Sequence, residues 1–170
     1  MATVFTMGYE GTDINRFLAT LKIVGIECLA DVRAVPHSRK KGFSKKSLSD
    51  LLQANGIRYR HFLPLGDPKP GRDAARAGDF DTFRSIYTDH LALDDSQASL
   101  EDLLKVVEGQ KTCLLCFERD PKTCHRSIIA QSIVSRGHES FELYGDDPTR
   151  YERHAARLPG GGAGKGASPS

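Results

Sequence analysis

Apolar positions along this chain alternate between two rhythms. Residues 4–7 form a short apolar run that stops at Gly8, after which Ile14, Phe17, Leu18 and Leu21 recur at helical spacing. Residues 26–30 supply a second run, and residues 44–54 a second helical pattern that ends at Asn55-Gly56, a pair suited to stopping a helix. In residues 57–62 the order Ile57, Tyr59, His61 against Arg58, Arg60 has period two, so this third strand is placed near a sheet edge. Phe80, Phe83, Ile86 and Tyr87 mark a further helix, and Leu100, Leu103, Leu104 and Val107 another. Residues 112–117 read as the most buried strand, residues 124–136 as a helix closed by Gly137, and residues 141–144 as a last short strand.

Strands alternating with helices imply an α/β fold: a single three-layer domain with a mainly parallel sheet and helices on both faces. The chain of 170 residues suits one such domain over residues 1–158, and the glycine-rich segment 159–170 reads as a flexible tail. Residues 63–78 hold three prolines and three glycines and are expected to form a long loop on a ligand rim or a surface excursion.

Composition narrows the functional classes. Hydrophobic residues make up 39% and charged residues 27%, the balance of a soluble protein, and no apolar run reaches the roughly 18 residues of a membrane span. The first residues, MATVFTMGYEG, lack a basic start and apolar core, so no secretory signal is read. Four cysteines in such a chain point to reduced thiols in a cytoplasmic setting. A formal charge of +2 gives no general argument for nucleic acid, yet Arg33, Arg39, Lys40, Lys41, Lys45 and Lys46 follow one another without an acidic residue.

The densest chemistry lies in CFERDPKTCHR, residues 116–126, between the buried strand and the last long helix. In an open α/β sheet that junction faces the ligand crevice. The other strand ends bring Tyr9 and Glu10 from GYEG, then Asp31, Arg33, His37 and Ser38, then Tyr59 and His61. With Thr123 as a cap, Cys124, His125 and Arg126 would occupy a first helical turn, where amide N–H groups and the helix dipole favour an anion or a thiolate. Arg126 and Arg33 are then anion-binding candidates, with Tyr9, Asp31, Ser38, Tyr59 and His125 around them. Arg126 paired to Glu118 or Asp31 as a structural tie is the competing reading. Glu10 and Glu118 are candidates to move a proton, and Cys124 is the candidate nucleophile.

Cys116 ends a buried strand and is read as a packing residue. The ten positions from Cys116 to Arg126 exceed the short loop by which thiol phosphatases ring an anion. Cys113 and Cys116 make a C-x-x-C, but residues three apart on a strand point to opposite faces, which weakens a structural zinc site. Neither the G-x-G-x-x-G pattern nor the phosphate-loop lysine pattern occurs, so no cofactor is specified.

Taken together, TMGYEG (6–11), DVRAVPHS (31–38), NGIRYRHFLPLGD (55–67) and LLCFERDPKTCHRSIIA (114–130) resemble the uncharacterised family known as domain of unknown function 488, over about residues 3–145. The resemblance implies an α/β fold with shared motifs at strand ends. Many relatives carry a histidine in place of Tyr9 and a glycine in place of Asp67, and the family supplies no catalytic residue to carry over. Three functions remain open: an enzyme or ligand-binding relative acting on a small phosphate-bearing, nucleotide-like anion; a nucleic-acid-binding accessory protein using segment 39–46 with Phe43, Tyr59 or Phe62 stacking on bases; and a metal-binding protein using Cys116, Cys124 and His125.

Overall fold

The computed structural model describes residues 1–159. Five strands, β1 (Thr3–Gly8), β2 (Cys28–Asp31), β3 (Arg58–His61), β4 (Thr112–Cys116) and β5 (Glu139–Tyr144), form one sheet in the order β3-β2-β4-β1-β5. Every pairing is parallel. The three inner strands are buried almost throughout, as both-face coverage requires, while β3 and β5 carry the exposed residues of edges.

Helices α1 (Ile14–Val24) and α2 (Lys45–Ala54) cover one face, where Phe17, Leu21, Leu48 and Leu52 meet Phe5, Met7, Leu29, Cys113 and Leu115. On the other face α4 (Phe80–Leu91), α5 (Asp94–Gly109) and α6 (Arg126–Val134) bring Phe83, Tyr87, Leu100, Leu103 and Ile129 against Val4, Ala30 and Leu114. Asp13 starts α1 by accepting the Arg16 amide, and Gly25 ends it with a φ of 84°.

The connections explain where a crevice must open. From β2 the chain passes to β3 by a helix on one face, and from β4 it passes to β5 by a helix on the other. Neighbouring strands β2 and β4 therefore send their chains apart at the carboxyl edge, which is the topological switch where ligands of open α/β sheets bind.

Two expectations need correction. Residues 63–78 are not a structureless loop: they form a 3₁₀ turn, Leu63–Leu65, and helix α3 (Lys69–Arg76). Pro70 in the first turn of α3 lacks only an N–H that would have had no helical partner. The last long helix begins at Arg126 rather than Cys124, and the Thr123 hydroxyl bonds back to Asp120 O instead of capping it. Of the expected tail, 159–170, positions 160–170 lie outside the described residues, among which no helix is long and apolar enough to cross a membrane.

Gly8 marks the tightest approach in this edge. A Cβ there would lie 1.7 Å from the carbonyl oxygen of Glu118, a backbone atom that cannot rotate aside. Gly8→Ala is therefore expected to lower unfolding stability by about 3 kcal/mol or more, read from urea unfolding; a change within about 0.5 kcal/mol would contradict this packing.

Candidate functional site

The carboxyl edge holds a cavity of about 680 Å³, within the usual size of small-molecule sites. Its walls come from all three inner strand ends: Tyr9 and Glu10 after β1, Arg33, Val35 and His37 after β2, and Cys116, Phe117, Glu118, Cys124 and His125 after β4. Asp67, Arg72, Ala75, Arg76 and Phe80 close the remaining side from α3 and its flanks. Backbone bonds from Tyr9 N to Cys116 O (3.2 Å) and from Glu10 N to Phe117 O (2.8 Å) continue the β1–β4 pairing into these loops.

Arg126 is wholly buried beneath the cavity, and each of its donor positions is engaged. Nε donates to Thr6 Oγ1 (3.3 Å), Nη1 to Cys116 Sγ (2.9 Å) and Glu118 O (2.5 Å), and Nη2 to Arg119 O (3.0 Å) and Glu142 Oε2 (2.7 Å). Five N–H groups are all that a guanidinium has. The structural tie foreseen for this arginine thus exists, but with Glu142 of β5 as its carboxylate partner, not Glu118 or Asp31.

Arg33 is similarly turned inward. Its Nε and Nη2 grip both oxygens of Asp31 (2.9 and 2.8 Å), and its Nη1 reaches Phe43 O (2.7 Å) and Tyr9 Oη (3.4 Å). Asp31 is fully buried and also accepts the Tyr59 hydroxyl, so this triad locks β2 to β3 below the cavity. Burial and the neighbouring Asp31 carboxylate push the Tyr59 phenol up. Asp31, Tyr59 and Ser38 are not among the lining residues; Ser38 instead bonds Ser44 Oγ and the Lys40 amide in the turn after β2. Tyr9 lies flat on Phe43, with ring centroids 4.4 Å apart, and meets the edge of Phe117 at 5.2 Å.

Of the proton-moving candidates, Glu10 is exposed and its Oε1 accepts the Arg119 amide at 2.9 Å, which fixes the loop after β4. Glu118 is half-buried, and burial raises its carboxyl above the ordinary range although Arg126 acts in the opposite direction. Burial also lowers His125 to about 4, so its imidazole is neutral near neutral pH. Because Val32 O can only accept, His125 Nε2 must carry the hydrogen shared with it, which leaves Nδ1 as an acceptor 3.6 Å from Cys124 Sγ.

Cys116 and Cys124 are joined as a disulfide at the cavity floor, so the expectation of thiols at these two positions is replaced by a paired state. Cys28 and Cys113 are free and buried. Cys113 lies in the core on the α1–α2 face, away from Cys116, as strand alternation required. The two paired sulfurs and a Glu118 carboxyl oxygen lie within 4.8 Å of one another, the one metal-sized cluster among the described residues. Ligation there would need the sulfurs as separate thiolates.

Asp67, Arg72 and Arg76 line the cavity although the sequence pattern did not mark them as site residues. Gly66 makes the close turn that delivers Asp67: a Cβ on it would lie 2.4 Å from Ala34 Cα. Leu65 O accepts the Tyr87 hydroxyl at 2.6 Å, and Pro64 O meets His90 Nε2 at 2.9 Å and the Ser96 hydroxyl at 3.0 Å, so α4 and α5 hold that turn in place. The Asp67 carboxyl nests against Gly71, is 5% exposed, and has one oxygen buried with no hydrogen-bond partner among the described residues. Burial raises it to about 7; Arg72 opposes the shift, and the charge of Glu118 adds to it. Arg72 uses Nη1 on Asp67 O at 2.8 Å, and Arg76, one helical turn on, touches only Asp73. The readable signal was the pair of arginines four apart behind prolines that can begin a helix.

The basic segment 39–46 exposes Arg39, Lys41, Lys45 and Lys46, whereas Lys40 Nζ is occupied by Tyr9 O and Thr12 O. Phe43 and Phe62 are buried and Tyr59 is tied to Asp31, so no ring from that set is free to stack on a base.

Among known proteins, a family model described as Domain of unknown function DUF488 matches residues 13–133. No curated protein and no solved structure matches the chain.

Two outcomes are expected from this geometry. Arg126→Ala leaves the half-buried Glu142 without its cation and the Thr6, Cys116 and backbone acceptors without their donor, and should cost about 3 kcal/mol of stability in urea unfolding; an unchanged midpoint would show that the buried network does not stabilise the fold. The unfolded chain releases the Asp67 proton near pH ~4 and the folded chain near pH 7, so this group's contribution falls as pH rises from about 4 to about 7 and is flat above. Asp67→Asn should thus match the parent at pH ~4 and exceed it by on the order of 4 kcal/mol at pH ~8, with equal differences at both pH values as the contrary result.

Proposed function

The chain belongs to the DUF488 family, whose description states no activity, and we propose from the cavity itself that this protein binds and processes a small phosphate-bearing, nucleotide-like molecule. The observation that carries this reading is the gathering, in one cavity, of two arginines whose donors are largely uncommitted, Arg72 and Arg76, and two carboxyl groups inclined to hold protons, Asp67 and Glu118.

The anion contact moves from the residues first considered to a different element. With Arg126 saturated and Arg33 held by Asp31, Tyr9 and Phe43, the phosphate falls to α3, where two forked cations one turn apart suit phosphate oxygens. The rings of Tyr9, Phe80 and Phe117 with Val35 and Ala75 give an apolar wall suited to a flat heterocycle. Burial raises Asp67 to about 7, so at neutral pH it can give or take a proton. Glu118 is the second proton carrier, while Glu10 holds the loop.

A ligand held by two arginines releases few counterions, so its affinity should fall only gently with salt, unlike that of a nucleic-acid tract along the exposed cations of segment 39–46. Calorimetric titration with a panel of nucleoside monophosphates is expected to show binding that Arg72→Ala and Arg76→Ala each weaken about tenfold. Absence of binding across the panel, or affinities that neither substitution alters, would overturn the proposal.

A further inference from the structure

The floor of the cavity offers chemistry that the anion reading does not use. Cys116 and Cys124 come from opposite ends of the 116–126 segment, and the structure joins their sulfurs where they line the cavity. Their surroundings differ. Cys116 Sγ receives Arg126 Nη1 at 2.9 Å and has a Glu118 carboxyl oxygen 3.8 Å away. Cys124 Sγ faces His125 Nδ1 at 3.6 Å, a nitrogen that can only accept.

These contacts assign different tasks to the two sulfurs once the bond between them is reduced. A guanidinium N–H aimed at sulfur favours the thiolate over the thiol, and Arg126 cannot turn away because its other N–H groups are all held. An acceptor nitrogen instead holds the neighbouring sulfur as a protonated thiol. Cys28 and Cys113 have no such partners, and Cys113 is pushed far up by burial.

We propose that Cys116 and Cys124 form a catalytic dithiol–disulfide pair that exchanges electrons with small thiol–disulfide compounds, Cys116 attacking and Cys124 resolving. Starting from the reduced pair, the Cys116 thiolate attacks one sulfur of a small disulfide RSSR; a Cys116–SR bond forms, the RS–SR bond breaks, and the leaving RS⁻ takes the Glu118 proton. The Cys124 thiol passes its proton to His125 Nδ1 as its sulfur attacks Cys116 Sγ, and solvent carries that proton on to Glu118. The second RS⁻ departs and is protonated by solvent. Two protein sulfurs are thereby oxidised and RSSR is reduced to two RSH; a small dithiol runs the sequence backward.

Both cysteines are 1% exposed, so the couple must be small enough to enter the cavity, and a protein disulfide is excluded. The exchange requires the cavity floor and Arg126 but neither arginine of α3, so it stands or falls separately from nucleotide binding.

The test uses the full-length chain with glutathione disulfide and dithiothreitol as probes, with intact-mass and peptide mass spectrometry after alkylation. Dithiothreitol should free all thiols, and glutathione disulfide should restore a Cys116–Cys124 link while leaving Cys28 and Cys113 reduced. A short pulse of iodoacetamide on the reduced, native wild-type protein should label Cys116 before Cys124, a measurement that depends on no variant. Cys124→Ser should trap glutathione on Cys116, at least about tenfold faster than Cys116→Ser traps it on Cys124. Preferential labelling of Cys124, failure of the link to form with glutathione disulfide, or stoichiometric zinc that blocks the exchange in the reduced chain would each overturn the proposal.

Discussion

The buried guanidinium of Arg126 is the constraint on which the carboxyl edge depends. It joins Thr6 of β1, Cys116 of β4, the carbonyls of residues 118 and 119, and Glu142 of β5, so one side chain fixes three adjacent strands and the loop between them. A charge with no exposure is tolerable only when it is paired and its donors are satisfied, and here both conditions hold. The Thr6 hydroxyl also bonds Glu142, which ties two of these strands, β1 and β5, a second time. Everything the cavity offers stands on this base: the position of the Cys116 sulfur, the path of residues 118 and 119, and the carboxyl of Glu118.

A second buried pair, Arg33 with Asp31, does the corresponding work for β2 and β3. The two networks leave the cavity with an unusual division of labour. Its most deeply placed arginines are internal ties, and the cations with donors to spare come from α3, an element outside the sheet. Between these layers lie the groups whose protonation burial alters: Asp67 and Glu118 upward, His125 downward. Such a set, gathered at a switch point, is the usual physical mark of a site that handles protons.

Much of the architecture was legible in the sequence because the buried strands are short, continuous apolar runs and the covering helices keep a strict apolar spacing. The runs at residues 4–7 and 112–117 became β1 and β4, and the period-two segment at 57–62 became the edge strand β3. The convergence of Tyr9, Glu10, Arg33, Glu118, Cys124 and His125 on one cavity was also readable, since parallel strands must release their following loops on the same side. What sequence could not convey was where donors are spent. An arginine beside a cysteine at a helix start looks the same whether it faces a ligand or a glutamate sixteen residues on. Helix α3 was hidden by prolines that break a helix in its interior yet fit its first turn, and Arg72, Arg76 and the delivered Asp67 were missed with it.

Arginine side-chain Nε–H resonances, followed by NMR during a titration with nucleoside monophosphates, bear most directly on this separation of internal from ligand-facing cations. The signals of Arg72 and Arg76 should move while that of Arg126 stays fixed and slow to exchange with solvent. Movement of Arg126 with Arg72 and Arg76 unchanged would contradict the account.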